Sequence, residues 1–175
     1  MSVRARSYLV LAIVVVLASA RAWCGESGDG DEKTWRTVSD SIVPYLAVSE
    51  LTLAMEGRHE AGQTAKALAT TTLVTYALKL AIPDERPDGD GMDSFPSGHT
   101  SAAFAMATCL AAYKPGLGLL AYGAAAAIGY SRIEVKAHEW DDVIVGALIG
   151  YYIARQFTSH KQDVMATSTA ITITF

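Results

Sequence analysis

Two histidines in this chain stand where a helix could present them to a ligand. The first closes the stretch Phe95-Pro96-Ser97-Gly98-His99, which sets a proline stop, a hydroxyl, a glycine and an imidazole directly before a long apolar run. Ser97 can sit as a helix N-cap, and Gly98 leaves room for a bound group to approach the backbone, so that the N–H groups of the first turn face the ligand. Such an end favours an anion, and phosphate is the commonest biological guest. Taken alone, the same stretch also reads as loop punctuation with a surface histidine. The second histidine lies in Ser131-Arg132-x5-His138-x3-Asp142. The i, i+4 spacing puts imidazole and carboxylate on one face, where the acid can hold one ring nitrogen and leave the other free. Its ordinary alternative is a capping histidine with a helix-stabilising aspartate. Lys79-x6-Arg86-Pro87 adds two cations, although a lysine that ends a helix often serves the dipole and a loop arginine is usually solvated.

The elements that must position these groups are helical. Ser39 or Asp40 can cap a helix running to about residue 56, with Pro44 tolerated in its first turn. A second helix spans residues 60–82, stopped by Pro83, and a third runs from Pro-Ser-Gly-His to Tyr113, ending at Lys114-Pro115-Gly116. An alanine-rich fourth covers residues 117–131 and a fifth residues 138–157. The pattern predicts an all-α antiparallel bundle of about five core helices, with the functional site at one end. Antiparallel order carries a consequence: Lys79 closes the second helix, His99 opens the third, Arg132 follows the fourth and His138 opens the fifth, so all four meet at the same end. Asp84, Glu85, Asp88, Asp90 and Asp93 fall on that face, and Arg58, Lys66, Lys114, Arg155 and Lys161 on the opposite one. The acidic loop matches no calcium-loop spacing and reads as a solvated loop beside the site.

Composition narrows the class. The 175 residues support one domain, and an apolar fraction of 51% gathered in blocks suggests helices that meet lipid or one another. A net charge of -4 with no basic tract argues against nucleic acid as a partner. Residues 1–22 open with Arg4 and Arg6, continue apolar from Tyr8 to Ala18 and offer small-residue cleavage sites around Ala20 and Ala22, the pattern of a secretory signal peptide or, if uncleaved, an anchor. Both place the rest of the chain outside the cytoplasm. Were the helices to span a membrane, the basic face would be cytoplasmic. Trp23 before Cys24 argues against lipid attachment, and two cysteines indicate no disulfide framework, leaving Cys109 as a small core residue. Residues 23–38 read as an acidic flexible linker, 39–160 as the helical domain and 161–175 as a tail, frayed or a short strand. Trp140 is expected at the site's rim or in plain packing; Tyr122, Tyr130, Tyr151 and Tyr152 in packing or interfacial roles; His59 and His160 on the surface.

Together, Lys79-x6-Arg86-Pro87, Pro96-Ser97-Gly98-His99 and Ser131-Arg132-x5-His138-x3-Asp142 resemble the three signature motifs of the type 2 phosphatidic acid phosphatase and vanadium haloperoxidase superfamily, over roughly residues 60–155. The resemblance implies a phosphoric ester hydrolase in which His138 is the nucleophile, Asp142 fixes its tautomer and His99 protonates the leaving oxygen and then activates water. Lys79, Arg86, Ser97, Gly98 and Arg132 would surround the phosphate oxygens, with no metal or other cofactor required. The implied substrate is a lipid phosphate (phosphatidate, phosphatidylglycerol phosphate or isoprenyl diphosphate), handled at a membrane on the extracytoplasmic side. A soluble periplasmic acid phosphatase of broad specificity and a vanadate-dependent haloperoxidase use the same pocket, although haloperoxidases of the family are much longer chains.

Overall fold

The computed structural model describes residues 30–55 and 57–172. Six α-helices and one short 3-10 turn occupy them: α1 (Gly30–Asp40), α2 (Ile42–Ala54), α3 (Arg58–Ala81), α4 (Gly98–Tyr113), the turn Pro115–Leu117, α5 (Gly118–Glu134) and α6 (Trp140–Thr172). Among the described residues there is no strand, only an isolated bridge between Asp84 and Asp93. The chain is all-α, and each of the helices expected between residues 39 and 157 is present. The leader or anchor expected at residues 1–22 lies outside the described residues.

Two stretches depart from expectation. Residues 23–38 read as linker, yet α1 begins at Gly30. Its glycine- and acid-rich start hides a single inward face made by Trp35, Val38 and Ser39, and Ser39 is fully buried. Helix α1 packs on α5, where Trp35 meets Tyr130 edge-on at 5.1 Å. In consequence neither Ser39 nor Asp40 caps the next helix; the break falls at Ser41, whose hydroxyl donates back to the Val38 carbonyl at 2.6 Å. At the other end, α6 continues to Thr172 where a strand or frayed tail was expected. Alternating Thr/Ser and apolar residues give a strand-like period, but extending a helix already nucleated upstream costs far less than starting another element.

Helix α4 is the centre of the bundle, packed against α2, α3, α5 and α6. It is apolar nearly all round, as a helix enclosed by others must be. Around it the core is built from Ile42, Tyr45, Leu53, Met106, Leu110 and Ile128 with many alanines, and Cys109 is a free, buried thiol within it. Small residues set the spacing. A Cβ added at Gly146 would lie 2.7 Å from the Ser97 carbonyl oxygen, and one at Gly150 would lie 2.8 Å from the Ala105 nitrogen and overlap the Ser101 carbonyl. Helices α4 and α6 therefore cross backbone to backbone, which fixes the start of α4 against the start of α6.

No helix among the described residues is long and apolar enough to cross a membrane. Buried threonines and Lys66 and Lys79 interrupt the apolar run of α3. Apolar side chains nevertheless face outward, with Leu73, Tyr76 and Leu80 on α3 and Ile144, Leu148 and Tyr152 at helical spacing on α6.

Candidate active site

The loop from Pro83 to Ser97 is shaped by two glycines with positive φ, Gly89 and Gly91, a conformation that costs other residues far more. It folds back on itself through Asp84 N–H to the Met92 carbonyl at 3.0 Å and Ser94 N–H to the Asp84 carbonyl at 2.9 Å. This return brings Asp93 against Arg86, with the carboxylate oxygens 2.9 and 3.0 Å from Nε and one terminal nitrogen of the guanidinium. Lys79, in the last turn of α3, reaches across and donates to the carbonyls of Asp93 and, at 3.1 Å, Ser94. Burial works to raise the Asp93 carboxyl, but Arg86 and Lys79 together hold it below its usual range. The acidic loop thus gives one carboxylate to orient the cations.

Helix α4 starts at Gly98, with Ser97 at the N-cap position. Ser97 makes no side-chain cap bond; its oxygen instead accepts from the Thr100 hydroxyl at 2.9 Å. The first turn is uncapped by side chains, and a Cβ built on Gly98 would meet nothing within 4 Å. The Ser97 N–H donates to the Asp142 carbonyl at 3.1 Å, tying this turn directly to α6.

Between α5 and α6 the chain turns tightly through Lys136, whose φ is 55°. The Arg132 carbonyl accepts from the N–H groups of Ala137 and His138 at 3.0 and 3.2 Å, which fixes His138 just ahead of α6. His138 is almost fully buried and Asp142 completely so. Oδ2 of Asp142 lies 3.3 Å from His138 Nδ1 and also accepts from the Glu139 N–H at 3.0 Å and from the Ser94 hydroxyl. Because Nδ1 faces a carboxylate, it carries the ring proton and Nε2 holds the free lone pair.

Electrostatics tie the two histidines to one set of cations. Burial, then Arg132, opposed by Asp40, and then Arg86 and Lys79, push the His99 imidazole down to about 4. Burial, Arg132 and Lys79 also push His138 down, against the pull of Asp142. In both rings the surroundings favour the neutral form. Lys79 is itself lowered by burial, partly offset by Asp93. Arg132 donates to the Ser39 hydroxyl, while its Nε is buried with no hydrogen-bond partner among the described residues. A buried donor on a guanidinium whose charge acts on both histidines is suited to an anion.

The structure therefore brings Lys79, Arg86, Ser97, Gly98, His99, Arg132, His138 and Asp142 to one end of the bundle. Trp140 is exposed and meets Tyr130 at a tilt, with ring centroids 6.1 Å apart, completing a row with Trp35. Tyr122 hydrogen-bonds Thr108 at 3.0 Å, and Tyr151 packs on Tyr152 and Arg155. Sequence reasoning missed the contacts of Ser39 with Arg132 and of Ser94 with Asp142, because a lone serine carries no spacing signal of its own.

The profile of the PAP2 superfamily matches residues 60–165, more than half of the chain and all three motifs. The chain belongs to the PAP2 superfamily. Over 72 residues it is 39% identical to the lipid A 1-phosphatase of Porphyromonas gingivalis, covering 39% of this chain and 16% of that protein. Lipid phosphate phosphatase 1 of Arabidopsis thaliana is 39% identical over 87 residues, covering 39% of this chain and 27% of that one. The chain thus spans less than a third of the length of these curated relatives. Its fold is similar to that of a transmembrane PAP2-type phosphatidylglycerolphosphate phosphatase from Bacillus subtilis, with a TM-score of 0.63 at 18% identity over 92% of this chain and 95% of that one. LpxE from Aquifex aeolicus gives 0.58 at 23% identity over 90% and 95%. Helix α1, which supplies Ser39 to this PAP2 site, lies wholly before the matched region.

Proposed function

We propose that this PAP2 chain is a metal-independent phosphatase that hydrolyses the phosphomonoester or diphosphate group of a phosphorylated lipid through a phosphohistidine. The observation that carries this reading is the buried His138–Asp142 contact of 3.3 Å, set at the bundle end where Arg132 keeps a buried Nε without a hydrogen-bond partner among the described residues. His138 Nε2 attacks phosphorus, the bond to the leaving oxygen breaks, and Asp142 balances the positive imidazole that results. His99 gives its proton to the leaving oxygen, then takes one from the water that attacks the phosphohistidine. A neutral His99 cannot act as an acid in the free protein, so binding must charge it. A phosphate dianion beside the imidazole favours the imidazolium, raises its pKa and draws in a proton on binding.

Charge on the transferring group is met by Lys79, Arg86 and Arg132, with the N–H groups at Gly98 and the Ser97 hydroxyl. Two of the three Lys79 N–H donors go to loop carbonyls, which leaves one for an oxyanion. These cations supply the role that a divalent metal fills in other phosphoryl-transfer sites. The lipid assignment rests on the names of the relatives and on the outward apolar faces of α3 and α6. The basic, apolar opening of the sequence supports export, with the site on the extracytoplasmic side.

The test is phosphate release from a panel of lipid phosphates, isoprenyl diphosphates and soluble phosphomonoesters, with chelator present. Turnover of a lipid substrate, unaffected by chelator and competitively inhibited by orthovanadate, is expected. Loss of turnover on chelation, restored by a divalent ion, would overturn the metal-free mechanism, and faster turnover of soluble esters would replace the lipid assignment.

Ser39 offers a finer check. Its hydroxyl accepts one N–H of Arg132 and so aims the remaining donors. Ser39→Ala is expected to weaken orthovanadate inhibition by roughly 3- to 10-fold, the size of one ordinary hydrogen bond. The inhibition constant measures it, and an unchanged constant would mean that α1 does not shape the anion site.

A further inference from the structure

The structure assigns to Ser94 the task of positioning the Asp142–His138 pair, a role that rests on the phosphatase reading above. Ser94 is fully buried at the end of the loop that carries Arg86. Its hydroxyl donates to Asp142 Oδ2 and lies 3.4 Å from His138 Nδ1. Its backbone carbonyl accepts from Lys79 at 3.1 Å and its N–H donates to the Asp84 carbonyl at 2.9 Å. One residue therefore connects the cation of the first motif to the carboxylate of the third, and it sits two residues before the second.

Chemistry explains why a hydroxyl is needed there. Asp142 Oδ2 accepts from Ser94, from the Glu139 N–H and from His138 Nδ1, while Oδ1 is buried with no partner among the described residues. The carboxylate is thus held by one oxygen alone. Without the Ser94 donor it keeps one backbone N–H and the imidazole, and can rotate about its terminal torsion. Two effects follow. The Nδ1 contact loses its fixed direction, so Nε2 is no longer aimed. In addition, the charge that Ser94 had partly dispersed acts more strongly on His138 and favours its protonated form. Lys79 from α3, Arg132 from α5 and Asp142 from α6 all act on His138, and only the Asp142 contribution changes in this way.

Threonine and valine at residue 94 have nearly the same shape and differ by the hydroxyl, so the test compares Ser94→Thr with Ser94→Val. Ser94→Val is expected to lower kcat by about 10- to 100-fold relative to Ser94→Thr, the range for a hydrogen bond to a charged group. KM should change by less than about 3-fold, because Ser94 does not touch the phosphate by this account. The acid limb of kcat/KM should move up by roughly half to one pH unit. The His138 ring, followed by NMR without substrate, should titrate higher in the valine variant by the same amount. Equal kcat and equal His138 titration in the two variants would overturn the assignment, as would a fall in rate that is uniform across pH. The NMR arm does not depend on turnover. A wild-type protein that releases no phosphate refutes the phosphatase reading, whereas an unmoved His138 titration refutes the role of Ser94.

Discussion

Replacing His138 with alanine is expected to lower kcat by about 10,000-fold or more, the scale on which enzymes lose turnover when a nucleophile is removed. The expectation follows from geometry. The Nδ1 side of the ring is occupied by Asp142 and the backbone is pinned by the Arg132 carbonyl, which leaves Nε2 as the one atom of this residue available for attack. Acid quenching removes phosphohistidine, so the intermediate is to be trapped in base with radiolabelled substrate; it should be present in wild type and absent in His138→Ala. His99→Ala separates the two steps. With an aryl phosphate, whose leaving group needs no proton, phosphorylation of His138 should proceed while hydrolysis of the phosphohistidine slows by about 100- to 10,000-fold. Phosphoenzyme should therefore accumulate in that variant. Wild-type turnover in His138→Ala, or a phosphoenzyme that persists in it, would assign the nucleophile elsewhere. The pH profile adds a further sign. Because burial, Arg132 and Lys79 depress His138, the acid limb of wild-type kcat/KM should fall below the ordinary histidine value, and the nucleophile should stay active into mildly acidic solution.

What could be read in advance was whatever has a period or a fixed spacing. Helices α3 to α6 follow from apolar repeats bounded by Pro83, the Pro-Ser-Gly stretch and Lys114-Pro115-Gly116, and antiparallel order alone brings Lys79, His99, Arg132 and His138 to one end. Helix α1 was hidden because its acids, following a glycine-rich stretch, resemble a linker, and its one buried face is visible only once α5 exists to receive Trp35. The contacts of Ser94 and Ser39 were hidden for a related reason. Each serine acts through a single hydroxyl on a partner distant in sequence, Asp142 in one case and Arg132 in the other, and neither contact leaves a local pattern. Arg86 shows a third limit: its approach to Asp93 depends on the backbone return at Gly89 and Gly91, which composition describes only as a solvated loop.

Gly150→Ala is expected to destabilise the protein, although alanine is the better helix former. On an exposed helix surface the same exchange gains about 1 kcal/mol. At Gly150 the added Cβ would overlap the Ser101 carbonyl and stand 2.8 Å from the Ala105 nitrogen, and both are backbone atoms of the central helix that cannot swing aside. The helices must separate instead, which loosens the core along the α4–α6 contact at a cost of about 1–3 kcal/mol or more. For a chain of this size that corresponds to a fall in Tm of about 2–12 °C. Gly123→Ala is the internal control: it lies within α5, a Cβ there meets nothing within 4 Å, and it should be neutral or stabilising. The crossing also sets the distance between the first turn of α4 and Asp142, through the Ser97 N–H bond and the tight contact at Gly146. Gly150→Ala should therefore lose activity at temperatures where it remains folded. Thermal unfolding followed by circular dichroism, with phosphate release measured well below Tm, tests both effects. Equal Tm for Gly150→Ala and Gly123→Ala would mean that α4 and α6 do not pack at this distance, and the placement of His99 relative to His138 would have to be redrawn.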